Sequence, residues 1–209
     1  MASLAKKIKR RLTKHSAYQV KRDHAMQTRW ETINNELDGE EKSLIDIGCN
    51  IGAFTERAAK LGLLAIGLEP GRREFALAAA KQSQTPGLAF MHMALDPDSV
   101  VKLPSADVIL CLSVNHYWAK LYGEDVSWDM IRVLIGKTEK KLFLEIPSIH
   151  KKYGAHPPQF IEGDETSIER YVERKVATIT DNRKTVKYLG KMEGIKNRVE
   201  TFRPMFLIT

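Results

Sequence analysis

No apolar run in this chain approaches the roughly 20 residues that a membrane-spanning helix needs. The N-terminus also lacks the uninterrupted apolar stretch and the small-residue cleavage site of a secretory signal. The expectation is therefore a soluble, cytoplasmic protein. Cysteine is scarce: Cys49 and Cys111 are the two present, each in an apolar segment and neither with the CxxC partner of a zinc site. Disulfide scaffolding and zinc chemistry are thereby set aside, no metal site is expected, and both thiols are read as reduced core residues. Internal repeats and low-complexity tracts are missing as well.

Acid is absent from one stretch. Residues 1–22 hold Lys6, Lys7, Lys9, Arg10, Arg11, Lys14, Lys21 and Arg22 with no acidic residue, so the net charge of +7 leaves a single negative charge for residues 23–209. The basicity belongs to an arm and the body is close to neutral. Leu4, Ile8 and Leu12 would form a narrow apolar stripe between basic flanks if the arm were helical. Three readings of the arm stand: a solvated tail, attachment to an anionic membrane surface or partner, and contact with phosphates of nucleic acid or of a phosphorylated substrate.

What is present suits one domain. A chain of 209 residues with 43% hydrophobic and 28% charged content can bury its own core without staples. In residues 23–37, Met26, Trp30, Ile33 and Leu37 recur at helical spacing and predict a helix packed on the body. From Ser43 onward, short apolar runs alternate with helical ones, the pattern of a parallel sheet with crossover helices. Predicted strands are Leu44–Ile47, Leu64–Leu68, Leu88–Met93, Asp107–Leu112, Lys141–Ile146, Val186–Lys191 and Met205–Ile208, with helices at Ala53–Leu61, Arg72–Gln82, Val126–Ile135 and Ser167–Ala177. The polar stretch Glu193–Thr201 is too short for a helical crossover and predicts a terminal antiparallel pair. The expected architecture is α/β: a Rossmann-like, seven-stranded, mostly parallel sheet with helices on both faces and an antiparallel last strand. The loop from Pro147 to Asp164 is the longest irregular segment and a candidate lid or substrate-binding element.

Residues 44–55, LIDIGCNIGAFT, carry the strongest chemical signal: an apolar strand, a glycine-bearing turn and the start of a helix. Gly48 and Gly52 permit a sharp bend and close approach of a ligand to the main chain, while the helix N-terminus favours a negative group. The spacing is GxxxG and the third glycine of a dinucleotide fingerprint is absent, which weakens a dinucleotide reading. Glu69 closes the second strand about 20 residues later, where an acid can accept both hydroxyls of an adenosine ribose.

These residues resemble the class I S-adenosylmethionine-dependent methyltransferases, whose first motif is an acid before such a turn and whose second is an acid ending strand two. Asp46, Gly48, Asn50, Gly52 and Glu69 match those positions. The resemblance implies S-adenosylmethionine as cofactor, with Asp46 and the turn at its methionine end and Glu69 at its ribose. After strand three the chain has no acid at the usual place beside adenine, so main chain and apolar contacts from Met93 and Ala94 are expected there, with Ser113 a further cofactor contact. Asp96, before Pro97, reads as a turn residue.

The fourth strand runs into residues 111–118, CLSVNHYW, where class I enzymes bring methyl group and acceptor together. This is not the NPPY motif of amino-methyltransferases, which disfavours methylation of a base amino group. His116 could take a proton from a hydroxyl or hold an anionic oxygen; Tyr117 and Trp118 read as packing residues. Glu145 stands in an apolar run, where a carboxylate needs a partner or a cavity, so a buried hydrogen bond and a substrate contact are both open. Arg203 reads as a salt-bridge former or a phosphate ligand.

Residues 112–123, 144–146 and 203–205 are similar to the methyltransferase domain of the kinase–methyltransferases that terminate bacterial O-antigen chains, and more distantly to enzymes methylating RNA terminal phosphates. The similarity implies transfer to an oxygen of a phosphate or sugar hydroxyl on a glycan, with His116, Glu145 and Arg203 near the acceptor. A phosphate oxygen needs no base, whereas a hydroxyl does, and His116 is the first choice. Two alternatives remain: a non-catalytic cofactor-binding module docking through its arm, and an RNA-directed enzyme, which the near-neutral body disfavours.

Overall fold

The computed structural model describes residues 24–148, 160–196 and 199–209. The basic arm of residues 1–22 and the greater part of the 147–164 loop lie outside the described residues. Helix α1 covers residues 24–35. It is followed by β1 (Ser43–Ile47), α2 (Ala53–Lys60), β2 (Leu64–Glu69), α3 (Arg72–Ala79), β3 (Leu88–His92), α4 (Pro97–Val100) and β4 (Ala106–Leu112). The second half runs α5 (Asn115–Tyr122), α6 (Glu124–Lys137), β5 (Thr138–Glu145), α7 (Glu165–Thr180), β6 (Val186–Lys196) and β7 (Val199–Ile208).

Among the described residues, seven strands form one sheet in the order β3-β2-β1-β4-β5-β7-β6. All neighbouring pairs from β3 to β5 are parallel, and β7 runs antiparallel to both β5 and β6. The sheet is thus mostly parallel with an antiparallel last strand, as the sequence predicts. Strands β1 and β4 are buried along nearly their whole length, which is why they read as unbroken apolar runs rather than alternating ones. Alternate residues feed two cores. Ile45, Ile47, Ile109 and Leu144 face α4 to α7 on one side, while Leu44, Val108, Leu110 and Phe143 face α1 to α3 on the other.

Helix α1 docks through Ile33, which is fully buried, with Trp30 and Leu37 packed around it. Leu37 lies just past the helix, so the apolar spacing outlasts the helical backbone by one turn. Both cysteines are buried and free, and no described helix is long and apolar enough to cross a membrane.

Three features differ from the sequence reading. The segment after β4, to which the sequence assigns no helix, is helix α5, pinned where the Trp118 indole N–H donates to the Leu95 carbonyl at 3.1 Å. Asp96 caps the short α4, accepting the backbone N–H groups of Asp98 and Ser99 at 3.1 and 2.7 Å. The stretch expected to separate the last two strands is itself strand: β6 and β7 pair as far as Lys196 and Val199. The ladder of β7 with β5 ends at Met205–Glu145, the following segment still donates from Ile146 and Ser148 to the Pro204 and Phe202 carbonyls at 3.1 and 3.3 Å, and the hairpin extends further.

Candidate functional site

The strand order reverses direction between β1 and β4, and in open parallel sheets ligands bind beyond the carboxyl ends of the strands at such a point. Asp46 lies one residue before the end of β1, on the same sheet face as Leu44, and is buried against α2. Its carboxylate accepts the Thr55 hydroxyl at 2.8 Å. No salt bridge reaches it among the described residues. Burial pushes its carboxyl up to about 6, and the negative charge of Glu69 adds to the shift against the hydrogen bonding from Thr55.

The turn after β1 is tightly built. Gly48 and Cys49 donate their N–H groups to the Leu68 carbonyl at 2.8 and 3.0 Å, and Gly52 donates to the Cys49 carbonyl at 2.9 Å. Gly48, Asn50 and Gly52 have φ of 70°, 54° and 71°, the left-handed region that glycine and asparagine tolerate best. The need for glycine is packing as well as conformation: a Cβ on Gly52 would stand 2.3 Å from the Phe90 ring, and one on Gly48 2.8 Å from Val114.

Glu69 ends β2 directly beside this turn. Its two carboxylate oxygens accept the backbone N–H groups of Asn50 at 2.7 Å and Gly71 at 2.6 Å. Each oxygen retains capacity for another donor, which suits a pair of ribose hydroxyls. Met93 donates its N–H to the Glu69 carbonyl at 3.2 Å, so the segment after β3 borders the same position. There Met93 is half-buried and Ala94 is exposed. Gly48, Asn50, Gly52 and Glu69 thus belong to one hydrogen-bonded turn, with Asp46, which ties β1 to Thr55 of α2, just before it in the chain and Met93 and Ala94 at its edge. Together these residues carry two carboxylates and no cation of their own, an arrangement suited to a positively charged ligand.

Ser113 and Glu145 make a second unit at the ends of β4 and β5. Ser113 has φ 62° and donates its hydroxyl to Glu145 at 2.5 Å. The other Glu145 oxygen accepts Nε of Arg29 at 2.6 Å. Glu145 is fully buried, and each of its oxygens accepts one of these bonds, which gives the carboxylate partners within the protein. Arg29 was not among the predicted site residues. Its signal in the sequence was Glu145 itself, since a carboxylate in an apolar strand demands a cation.

His116 lies in the first turn of α5, buried, with its ring 4.2 Å from that of Tyr117. Tyr117 is itself largely exposed, while Trp118 belongs to the core. Arg203 is half-buried on β7 opposite Met192 of β6, on the hairpin that projects past β5. Among the described residues no three His, Cys, Asp or Glu side chains cluster as metal ligands.

The fold is a Rossmann-like α/β sheet of the kind seen in solved methyltransferase structures. Of solved structures, the chain is similar to the bifunctional kinase-methyltransferase WbdD, with a TM-score of 0.66 and 19% identity over 90% of this chain and 39% of that one. It is also similar to magnesium protoporphyrin IX methyltransferase (ChlM) from Synechocystis PCC 6803 with bound SAM, at TM-score 0.55 and 15% identity over 88% of this chain and 78% of that one. A third is the N-methyltransferase NodS from Bradyrhizobium japonicum WM9, at TM-score 0.56 and 16% identity over 90% and 95%. The chain thus spans well under half the length of WbdD. No family model matches the sequence, and no curated protein matches it. At these identities the likeness is one of fold.

Proposed function

We propose that this protein is an S-adenosylmethionine-dependent O-methyltransferase acting on a phosphate or hydroxyl of a glycan or related phosphorylated acceptor. The observation that carries the proposal is the joining of the β1 turn to Glu69 through the Asn50 amide. In this reading Glu69 would meet the ribose, and the buried carboxylate of Asp46 the cationic methionine end. What S-adenosylmethionine supplies when bound is a methyl group on positively charged sulfur. The chain's own part is to orient that end with Asp46 and the Gly48–Gly52 turn, to hold the ribose with Glu69, and to border the adenine with Met93 and Ala94.

One fold carries many methyl acceptors, so the acceptor reading rests on His116, just after β4, and Arg203, in the middle of β7. WbdD, ChlM and NodS have differently named activities on this architecture. His116 and Arg203 are the groups that would meet an acceptor oxygen: Arg203 as a bidentate partner for a phosphate, His116 as a base for a hydroxyl. The similarity of residues 112–123, 144–146 and 203–205 to the kinase–methyltransferases of O-antigen chains and the absence of the NPPY motif support an oxygen over a base amino group. In this reading the basic arm brings the enzyme to an anionic surface or a phosphorylated acceptor in the cytoplasm.

The test is transfer of labelled methyl from S-adenosylmethionine to three acceptor sets: glycans with terminal phosphate, the same glycans without it, and RNA. Label on either glycan set, released as an O-methyl group, supports the proposal. Label on RNA alone, or on none of the three, overturns it.

A further inference from the structure

Arg29 of α1 is 116 residues from the carboxylate it meets. Its guanidinium ties three pieces of chain together. Nε donates to Glu145 at the end of β5 at 2.6 Å, Nη2 donates to the carbonyl of Glu193 on β6 at 2.9 Å, and Nη1 returns to the carbonyl of Ala25 at 3.3 Å. Its side chain is 12% exposed and that of Glu145 1%. A pair so withdrawn from water is held together strongly, because either charge left alone would be buried without compensation.

The contact continues beyond the pair. Glu145 uses its second oxygen to accept the Ser113 hydroxyl, and Ser113 has a left-handed backbone that costs a non-glycine residue free energy unless its surroundings hold it. The next residue, Val114, rests against Gly48, where an added Cβ would come within 2.8 Å of its methyl group. A continuous chain of contacts therefore runs from α1 through Glu145, Ser113 and Val114 to the turn that follows β1.

We infer that Arg29 is a positioning residue for the cofactor turn: it fixes Glu145, Glu145 fixes the strained Ser113 backbone, and Val114 braces the turn at Gly48. The inference rests on the cofactor reading of that turn and adds a residue to it. It makes the seating of α1, the helix that follows the basic arm, a condition for a well-formed cofactor site. A helix held only for stability would instead affect the unfolding temperature and leave the turn unchanged in the folded protein.

The experiment combines hydrogen exchange over residues 112–116 with calorimetric titration by S-adenosylhomocysteine. It is run on the full chain, Arg29→Gln, Arg29→Lys, Glu145→Gln and the Arg29→Gln, Glu145→Gln pair. Thr32→Val is the control, since Thr32 touches Met192 and the helix backbone but not the Arg29–Glu145 pair. Arg29→Gln and Glu145→Gln are each expected to speed exchange and weaken binding about tenfold, with the pair no worse than either alone, as coupled residues behave. Arg29→Lys falls between, because one ammonium cannot hold both Glu145 and the Glu193 carbonyl; Thr32→Val changes neither readout. Unchanged exchange in folded Arg29→Gln, or additive effects in the pair, overturns the inference. Should Arg29→Gln fail to fold, Arg29→Lys and Glu145→Gln decide it by the same two readouts. Absence of binding by the unaltered chain would overturn the cofactor reading, and exchange alone would then uphold or reject the link from Arg29 to Ser113.

Discussion

The Glu69 carboxylate accepts the backbone N–H of Asn50 at 2.7 Å, so the acid that ends β2 and the turn that ends β1 are a single hydrogen-bonded structure. Either half loses definition without the other. Glu69→Gln keeps the side-chain shape but exchanges a charged acceptor for a neutral amide. Hydrogen bonds to charged groups contribute about 1.5–3 kcal/mol each, so S-adenosylhomocysteine affinity is expected to fall roughly 10- to 100-fold by calorimetry.

Gly52 tests the packing of the same turn. A methyl there would overlap the Phe90 ring and occupy a left-handed backbone, so Gly52→Ala should destabilise the fold by about 2–4 kcal/mol from overpacking and strain together. Urea unfolding checks the value. Adding Phe90→Leu to Gly52→Ala is expected to recover part of the loss, since it removes the ring the methyl would meet.

Asp46 sets a pH dependence. Its folded carboxyl is pushed up to about 6 from the ordinary 3.8, so the fold is most favoured when this group is protonated. That contribution is complete below the unfolded value and is lost as pH rises through about 6, a total of order 3 kcal/mol. Asp46→Asn should therefore flatten the stability profile between about pH 4 and about pH 6, the window between the ordinary and the raised value. Binding of a cationic ligand runs the other way: it requires the ionised carboxylate, so affinity in the unaltered protein should weaken below about pH 6 with protons released on binding. Titrations in buffers of different ionisation enthalpy read that release directly.

His116 separates the two acceptor classes. A general base contributes on the order of 100-fold or more to a reaction that needs proton removal. His116→Asn is expected to cost that much on a hydroxyl acceptor and to lose its acid limb in the pH–rate profile. On a phosphate acceptor, already ionised, the same substitution should change turnover by less than about tenfold.

Much of this structure was legible because it is local. Residues 44–55 announce a strand, a turn and a helix in consecutive positions, and all three form where the spacing places them. Strands β1, β2, β4 and β5 were visible because both faces of each are covered. Helix α5 was not, because its buried positions include Asn115 and His116, which break any apolar period. The outer parts of β6 and β7 were missed for a related reason: before Phe202, β7 pairs with β6 beyond the segment that follows β5, and this part carries polar residues. The partners of Gly48 and Gly52, and Arg29 as the partner of Glu145, are tertiary contacts between distant segments. Sequence spacing shows that a buried carboxylate needs a cation, but the fold decides which one arrives.

The central claim is that the turn and Glu69 hold S-adenosylmethionine, and its most direct test is calorimetric titration of the full chain with S-adenosylhomocysteine. Gly48→Arg and Glu69→Ala serve as site controls, each first checked for folded structure by circular dichroism. The account predicts binding in the micromolar range by the unaltered chain and its loss in both variants. No binding by the unaltered chain, or binding that survives both substitutions, would contradict it.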